Sequence, residues 1–327
     1  MSLVSPTLAL AGVEVSPFED VTFRPVAEIK HKVHAEEDFG FAVQLPGFQS
    51  FIDGLPNVLA AKELKKLIKA MRQARENGKP IIWAMGAHSI KCGLTPWLLA
   101  LARQGFITAF AFNGACAIHD LELALAAETS EDVAAHLTDG LFGTADEPGR
   151  LIGKALTKAK NEGFGPTISK LLASELFPRR DLSLLAGCHN LKIPVTFHAA
   201  LGTDTIHFHP AVDWAILGKA LQRDFESYVG KIAELNDGGV YLNVGSAVLL
   251  PEVFLKALTV ARNQGKEVND FTTANLDMVQ HYRPKVNVLS RPGGQAIALT
   301  GHHEIMIPLL ACSLLSGPAK IPTGEGD

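Results

Sequence analysis

Histidine and carboxylate side chains recur in three short clusters of this chain. His207 and His209 form an H-x-H pair, and Asp204 lies just before them. His302, His303 and Glu304 stand together near the end. His119 is followed by Asp120. Imidazole and carboxylate are ligands of zinc and of non-haem iron. They are equally the groups that move protons near neutral pH. An H-x-H pair in a strand would put both rings on one face. If the turns that carry them converge, Asp204, His207 or His209, and His302 or His303 could form a metal site. The spacing does not decide between that site and histidines that bind a substrate or act as acid and base. Lys91 and Arg283 are candidate anion-binding cations, and Arg283 could clamp an acidic group.

These residues need a scaffold, and the hydrophobic rhythm supplies one. The stretch IIWAMGAHSIKCG, Ile81 to Gly93, is an apolar run that stops at a Gly-Ala-His turn. It is expected to be a buried strand and its exit. The turn admits a nucleotide, a metal through His88, or nothing at all. Before it, apolar residues at helical spacing run from Asn57 to a stop at Gly78. FITAFAFNGACAIHD is expected to be a second strand, broken at Asn113-Gly114. IPVTF, GGVYLNVGSA, NDFTTANLD and GQAIALTG are further strands, each separated from the next by helical stretches. Strands alternating with helices imply right-handed crossovers and a doubly wound parallel α/β sheet. Ligands of such sheets bind outside the carboxyl ends of the strands. The small or polar residues there are Gly86-Ala87-His88-Ser89, Asn113-Gly114-Ala115, Gly202-Thr203-Asp204, Asn243-Val244-Gly245-Ser246, Thr272-Thr273-Ala274-Asn275 and Thr300-Gly301-His302-His303. Together they are expected to outline one crevice where a ligand approaches backbone amides. The expected organisation is an N-terminal arm over residues 1–55, packed on a neighbouring subunit, one α/β domain over 56–316, and a tail over 317–327.

Composition bounds the function. The chain has 327 residues, 47% hydrophobic and 20% charged, with a formal net charge of -4. No block of one sign suggests nucleic acid or an anionic membrane. Cys92, Cys116, Cys188 and Cys312 are isolated, which fits a reducing compartment. No apolar run approaches the roughly 18 residues of a membrane span, and no secretory leader is evident. A cytoplasmic protein is expected. The dinucleotide G-x-G-x-x-G, the phosphate loop and the G-x-S-x-G elbow are all absent.

The order of the turns resembles the deoxyhypusine synthase family. GAHSIKCGLTPWLLALARQGFITAFAFNGACAIHDLELAL is similar to its first motif region. IPVTFHAALGTDTIHFHP, GVYLNVGSAVLLPEVFLKA, NDFTTANLD and HHEIMIPLLACSLL are similar to later ones, in the same order over roughly residues 55–315. The resemblance implies an NAD-binding, doubly wound fold assembled as a homotetramer. It implies NAD contacts at Ala87, His88, Ser89, Asn113, Gly114, Ala115, Gly245, Thr273 and Ala274. Asp204 matches an acidic residue that holds the polyamine substrate.

The chain departs from that family where the chemistry is done. The segment carrying the family's imine-forming lysine has no counterpart, and Lys285 is near it without matching. Ile118-His119 stand where paired glutamates recognise the amine, and His302 where another acid is expected. Ala199 or Ala200 replaces an acid that contacts NAD. A cationic polyamine needs carboxylates in a desolvated site. The expectation is therefore a deoxyhypusine synthase-like paralogue, not a true deoxyhypusine synthase. It would be an NAD-dependent transferase or oxidoreductase acting on a neutral or anionic small molecule. His119, His302 and Asp204 are its expected catalytic residues, and His88, His207, His209 and Arg283 meet the substrate. The alternatives are a metal-dependent hydrolase built on Asp204, His207, His209 and His302, and a non-catalytic binding protein.

Overall fold

The computed structural model describes residues 21–34 and 48–316. The expected tail and much of the expected arm lie outside the described residues. Eight strands are present among them: β1 (His31–His34), β2 (Ile81–Met85), β3 (Ala109–Asn113), β4 (Glu128–Glu131), β5 (Val195–His198), β6 (Gly239–Val244), β7 (Phe271–Asp277) and β8 (Gln295–Thr300). The longer helices are α1 (Phe48–Gly54), α2 (Leu59–Glu76), α3 (Thr95–Arg103), α4 (Gly114–Ala126), α5 (Asp146–Ala159), α6 (Phe164–Leu172), α7 (Leu184–Leu191), α8 (Trp214–Ala233), α9 (Leu249–Asn263) and α10 (His303–Leu315). Among the described residues no helix is long and apolar enough to cross a membrane.

Six strands form one parallel sheet in the order β5-β3-β2-β6-β7-β8. Both faces of its inner strands are covered, so β2 is apolar without a break, while the edge strand β8 buries only alternate residues. All five β2 residues are buried. Ile81, Trp83 and Met85 join a core with α2, α3, α4, α7 and α10. Ile82 and Ala84 face the other way, onto α8 and α9. The two-residue period of a strand thus feeds two apolar cores.

The sheet order places the site. From β2 the chain builds outward through β3 to β5, then crosses back to β6 on the other side of β2. The direction of winding reverses between β2 and β6. That pair is the switch point, where a crevice opens at the carboxyl ends.

Two expectations are refined. The second strand ends at Asn113, and Gly114 already begins α4. An apolar run of Ala, Cys and Ile has no strong period of its own, so strand and buried helix read alike. The described part of the N-terminal segment packs on its own chain. β1 pairs antiparallel with β4. Arg24 bonds the Leu141 carbonyl at 3.0 Å, and Glu147 accepts the Val26 N–H at 2.7 Å.

Candidate functional site

The floor of the switch-point crevice has no room for side chains. A Cβ at Gly86 would come within 2.6 Å of the Gly245 carbonyl oxygen. Gly245 has φ +64°, and a Cβ there would meet the His303 ring at 2.7 Å. Only glycine fits both demands. The N–H of Gly86 is bonded to Val244, and that of Gly245 to Leu276. These glycines therefore pack closely at the strand exits and do not offer these amides to a ligand, which corrects the role expected of them.

Beside the crevice lies a cavity of about 250 Å³. It is lined by Lys91, Ala115, Ile118, His119, Glu122 and Thr203, among others. His119 and Glu122 sit one turn apart on α4. His119 Nδ1 is 2.8 Å from Thr129 Oγ1 and 3.3 Å from Glu122 Oε2. The Thr129 hydroxyl donates to Glu122 Oε2 at 2.5 Å. A carboxylate on Nδ1 keeps the proton there and leaves the lone pair on Nε2. Burial works to raise the Glu122 pKa. His119, Thr129 and His31 outweigh it, and the net shift is downward. Glu122 therefore stays ionised and orients the ring.

Asp204 lies close by, against the first turn of α4. Its Oδ2 is buried and accepts no hydrogen bond, with His207 Nε2 3.7 Å away. Burial raises its pKa to about 6, and only the nearby His119 opposes this. The site thus couples an oriented imidazole to a carboxyl group that can carry a proton in mildly acidic conditions. Such a pair suits proton transfer.

On the other side of the β2 exit, His88 and Cys92 share one helical turn, His88–Lys91 and its cap. His88 Nε2 is 3.3 Å from Cys92 Sγ, and Cys92 Sγ is 4.0 Å from Glu304 Oε2. Burial, then His303, lowers the His88 pKa, and burial, then Glu304, raises that of Cys92.

The remaining expected residues are elsewhere. His207 and His209 are not on a strand. Thr205–Phe208 is a 3-10 turn that Asp204 and His207 cap reciprocally, so the two rings diverge. His207 Nδ1 accepts the N–H groups of Gly202 and Asp204 at 3.0 and 3.1 Å. His209 Nε2 meets Asp146 at 3.3 Å, and its ring packs 4.3 Å from Phe23. Burial lowers both pKa values. Both rings hold the fold together. Thr273 and Ala274 lie inside β7, paired with β6 and β8, and Ala274 belongs to the core. The exit of β7 comes later, after Asp277, so these two do not reach the crevice. Arg283 pairs with Glu252 at 2.9 Å. His302 is exposed, 3.9 Å from Glu304. Of the expected hydrolase ligands, Asp204 Oδ2 and His207 Nε2 approach to 3.7 Å, while His209 turns to Asp146 and His302 stands beside Glu304, so the set does not assemble. Among the described residues the group of three that does is His88, Cys92 and Glu304, with ligand atoms within 4.8 Å of one another.

Glu122 and Cys92 were missed in the sequence as site residues. Both had a signal, because His119 to Glu122 is i,i+3 and His88 to Cys92 is i,i+4 on a helix face. Glu304 was visible in its cluster with His302 and His303, but its meeting with His88 and Cys92 depends on the fold.

No protein-family model matches the sequence, and no curated protein matches it. Solved structures match in fold. A chain assigned to the LOR/SDH group from Methanococcus maripaludis S2 aligns with TM-score 0.51 and 18% identity, over 79% of this chain and 70% of its own. AgrE, solved as a ternary complex with ornithine and NAD+, aligns with TM-score 0.51 and 15% identity. That match covers 79% of this chain but 34% of AgrE, so the chain spans about a third of that protein. These likenesses show an α/β fold, one that AgrE, solved with NAD+, shares. A chain assigned as a deoxyhypusine synthase from Entamoeba histolytica aligns over 82% of this chain and 96% of its own, with TM-score 0.47 and 7% identity. That likeness is too distant to show membership of the family.

Proposed function

We propose that this chain is an NAD-dependent enzyme acting on a small molecule. One observation carries the reading. The winding reverses between β2 and β6, close-packed glycines end both strands, and a cavity lined by an oriented histidine lies near those carboxyl ends. The dinucleotide would lie across Gly86, Ala87, Asn113 and Gly245. The substrate would enter the cavity next to His119. The fold neighbour AgrE, bound to NAD+ and ornithine, supports this use of the fold.

The reaction class that fits is oxidation of an alcohol or amine carbon, or its reverse. Bound NAD+ would accept the hydride. His119 Nε2 takes the hydroxyl or ammonium proton, and Glu122 stabilises the imidazolium that forms. Asp204 holds the polar group of the substrate or returns the proton. Kinship with deoxyhypusine synthases is part of the proposal and rests on the order of motifs. Deoxyhypusine synthesis is not, because the lysine segment is missing. A homo-oligomer is also proposed. Val248, Met278, Val279, Tyr282 and Ile305 are exposed and follow the carboxyl ends of β6, β7 and β8. A large apolar rim favours self-association.

Calorimetric titration with NAD+ tests the reading. Micromolar binding by the folded protein is expected, weakened when a side chain is introduced at Gly245. Absence of binding would overturn it.

A further inference from the structure

We propose that His88, Cys92 and Glu304 form a binding site for one divalent transition-metal ion, with Zn2+ the best match. The site is separate from the His119 cavity.

The donor set comes first. One imidazole nitrogen, one thiolate sulfur and one carboxylate oxygen make the mixed N, S, O set that zinc accepts. Hard cations such as Mg2+ and Ca2+ take oxygen, so the histidine and cysteine select against them.

The geometry agrees. Usual zinc–ligand lengths imply edges of roughly 3.4–3.6 Å between neighbouring ligand atoms of a tetrahedron. The His88–Cys92 edge is 3.3 Å and the Cys92–Glu304 edge 4.0 Å. Closing the second edge needs only a small rotation of Glu304, whose side chain is 48% exposed and otherwise held by a 3.9 Å pair with the exposed His302. Two ligands are preset by one helical turn at the β2 exit. The third comes from the first turn of α10, which the sheet brings alongside. Sequence-distant elements thus meet at the end of the same crevice.

The surroundings add a further sign. The His303 ring lies 5.6 Å from that of His88. It is 1% exposed, its Nε2 is 3.1 Å from the Leu276 carbonyl, and its Nδ1 has no partner. A buried, unpartnered ring nitrogen is uncommon and favours a positive neighbour. Three protein ligands with partial exposure leave a fourth position for water or a substrate oxygen. This is the layout of a site that polarises an oxygen rather than one that only staples the fold.

The test uses the full chain, stripped with chelator and titrated with Zn2+ and with Co2+. One equivalent is expected to bind. The Co2+ complex should show the visible bands of tetrahedral cobalt and a thiolate-to-cobalt charge-transfer band. Cys92→Ala should abolish the charge-transfer band. Cys92→Ala, His88→Ala and Glu304→Gln should each weaken Zn2+ binding by more than roughly tenfold, since even outer-shell losses cost that much. Circular dichroism of each variant establishes that it is folded. No stoichiometric binding, octahedral cobalt spectra without the thiolate band, or parent-like Zn2+ affinity in the three variants would overturn the proposal. The NAD+ titration is independent of these outcomes, and each reading can fail alone.

Discussion

The carboxylate of Asp204 lies directly over the backbone of Gly114. A Cβ on residue 114 would stand 1.9 Å from Asp204 Oδ2. The glycine that begins α4 is thus what lets a distant loop set its acid against the first turn of that helix, near His119. Gly114→Ala should displace Asp204, and the clash is with one carboxylate rather than with backbone. Stability is expected to stay within about 1 kcal/mol of the parent, while substrate turnover falls. Gly153→Ala is the contrasting case. There the new Cβ would meet the Ala211 carbonyl oxygen at 2.1 Å, a backbone clash. A loss of roughly 1–3 kcal/mol is expected. Denaturant unfolding of the pair checks both.

The His119–Glu122 pair makes a sharper functional prediction. His119→Ala should leave NAD+ affinity and the melting temperature near those of the parent and remove turnover. Glu122→Gln should also lower turnover, because a neutral amide cannot stabilise the imidazolium. A drop of roughly 10²–10⁴-fold is the scale of acid–base catalysis. The pH profile separates this from a structural role, since Glu122→Gln should shift the acidic limb of the oxidation rate while a packing defect would not.

The parallel sheet was legible because its strands are apolar on both faces and separated by helical periods. Its exits were legible where a glycine ends the strand, as at Gly86 and Gly245. NDFTTANLD was harder. Its threonines and asparagines look like an exit, yet Asn275 and Asn243 bond each other across β7 and β6 at 2.7 Å inside the sheet. Polar residues paired with each other can sit in a core, and no local pattern announces the partner. The His207-x-His209 pair misled for a related reason. Capping by Asp204 turns the backbone there, so a two-residue spacing no longer means one face. His119 was legible as a chemical residue, while its orienting partners Glu122 and Thr129 needed the fold.

His209 was expected to meet substrate, and the structure gives it a structural post. Its ring lies over Gly149, where a Cβ would come within 2.3 Å of it, and it joins Asp146 to the segment of Phe23. His209→Ala should cost roughly 1–3 kcal/mol, from lost packing and an unpaired polar neighbour. Well below the melting temperature, NAD+ affinity should be unchanged. Unfolding curves and the calorimetric titration, run on one preparation, check the two halves. A variant that melts like the parent but fails to bind or turn over would return His209 to the site.

Asp224 offers the clearest pH effect. It is 2% exposed, and its Oδ2 accepts the N–H groups of Gly165 and Phe197 at 2.8 and 2.7 Å. Burial raises its pKa from 3.8 to about 7, with the two backbone bonds opposing. The folded state therefore holds this proton more tightly than the unfolded chain. Below pH 3.8 both states are protonated, and the group adds no pH dependence. As pH rises toward 7 the unfolded chain ionises first, so stability falls across that window. Above about 7 both states are ionised and the loss is constant. Asp224→Asn keeps an oxygen that can accept both N–H groups and removes the titration. Its stability should decline less than that of the parent between pH 4 and pH 7, measured by urea unfolding at fixed ionic strength. Parallel curves for the two proteins would show that Asp224 ionises in the fold as readily as in the open chain.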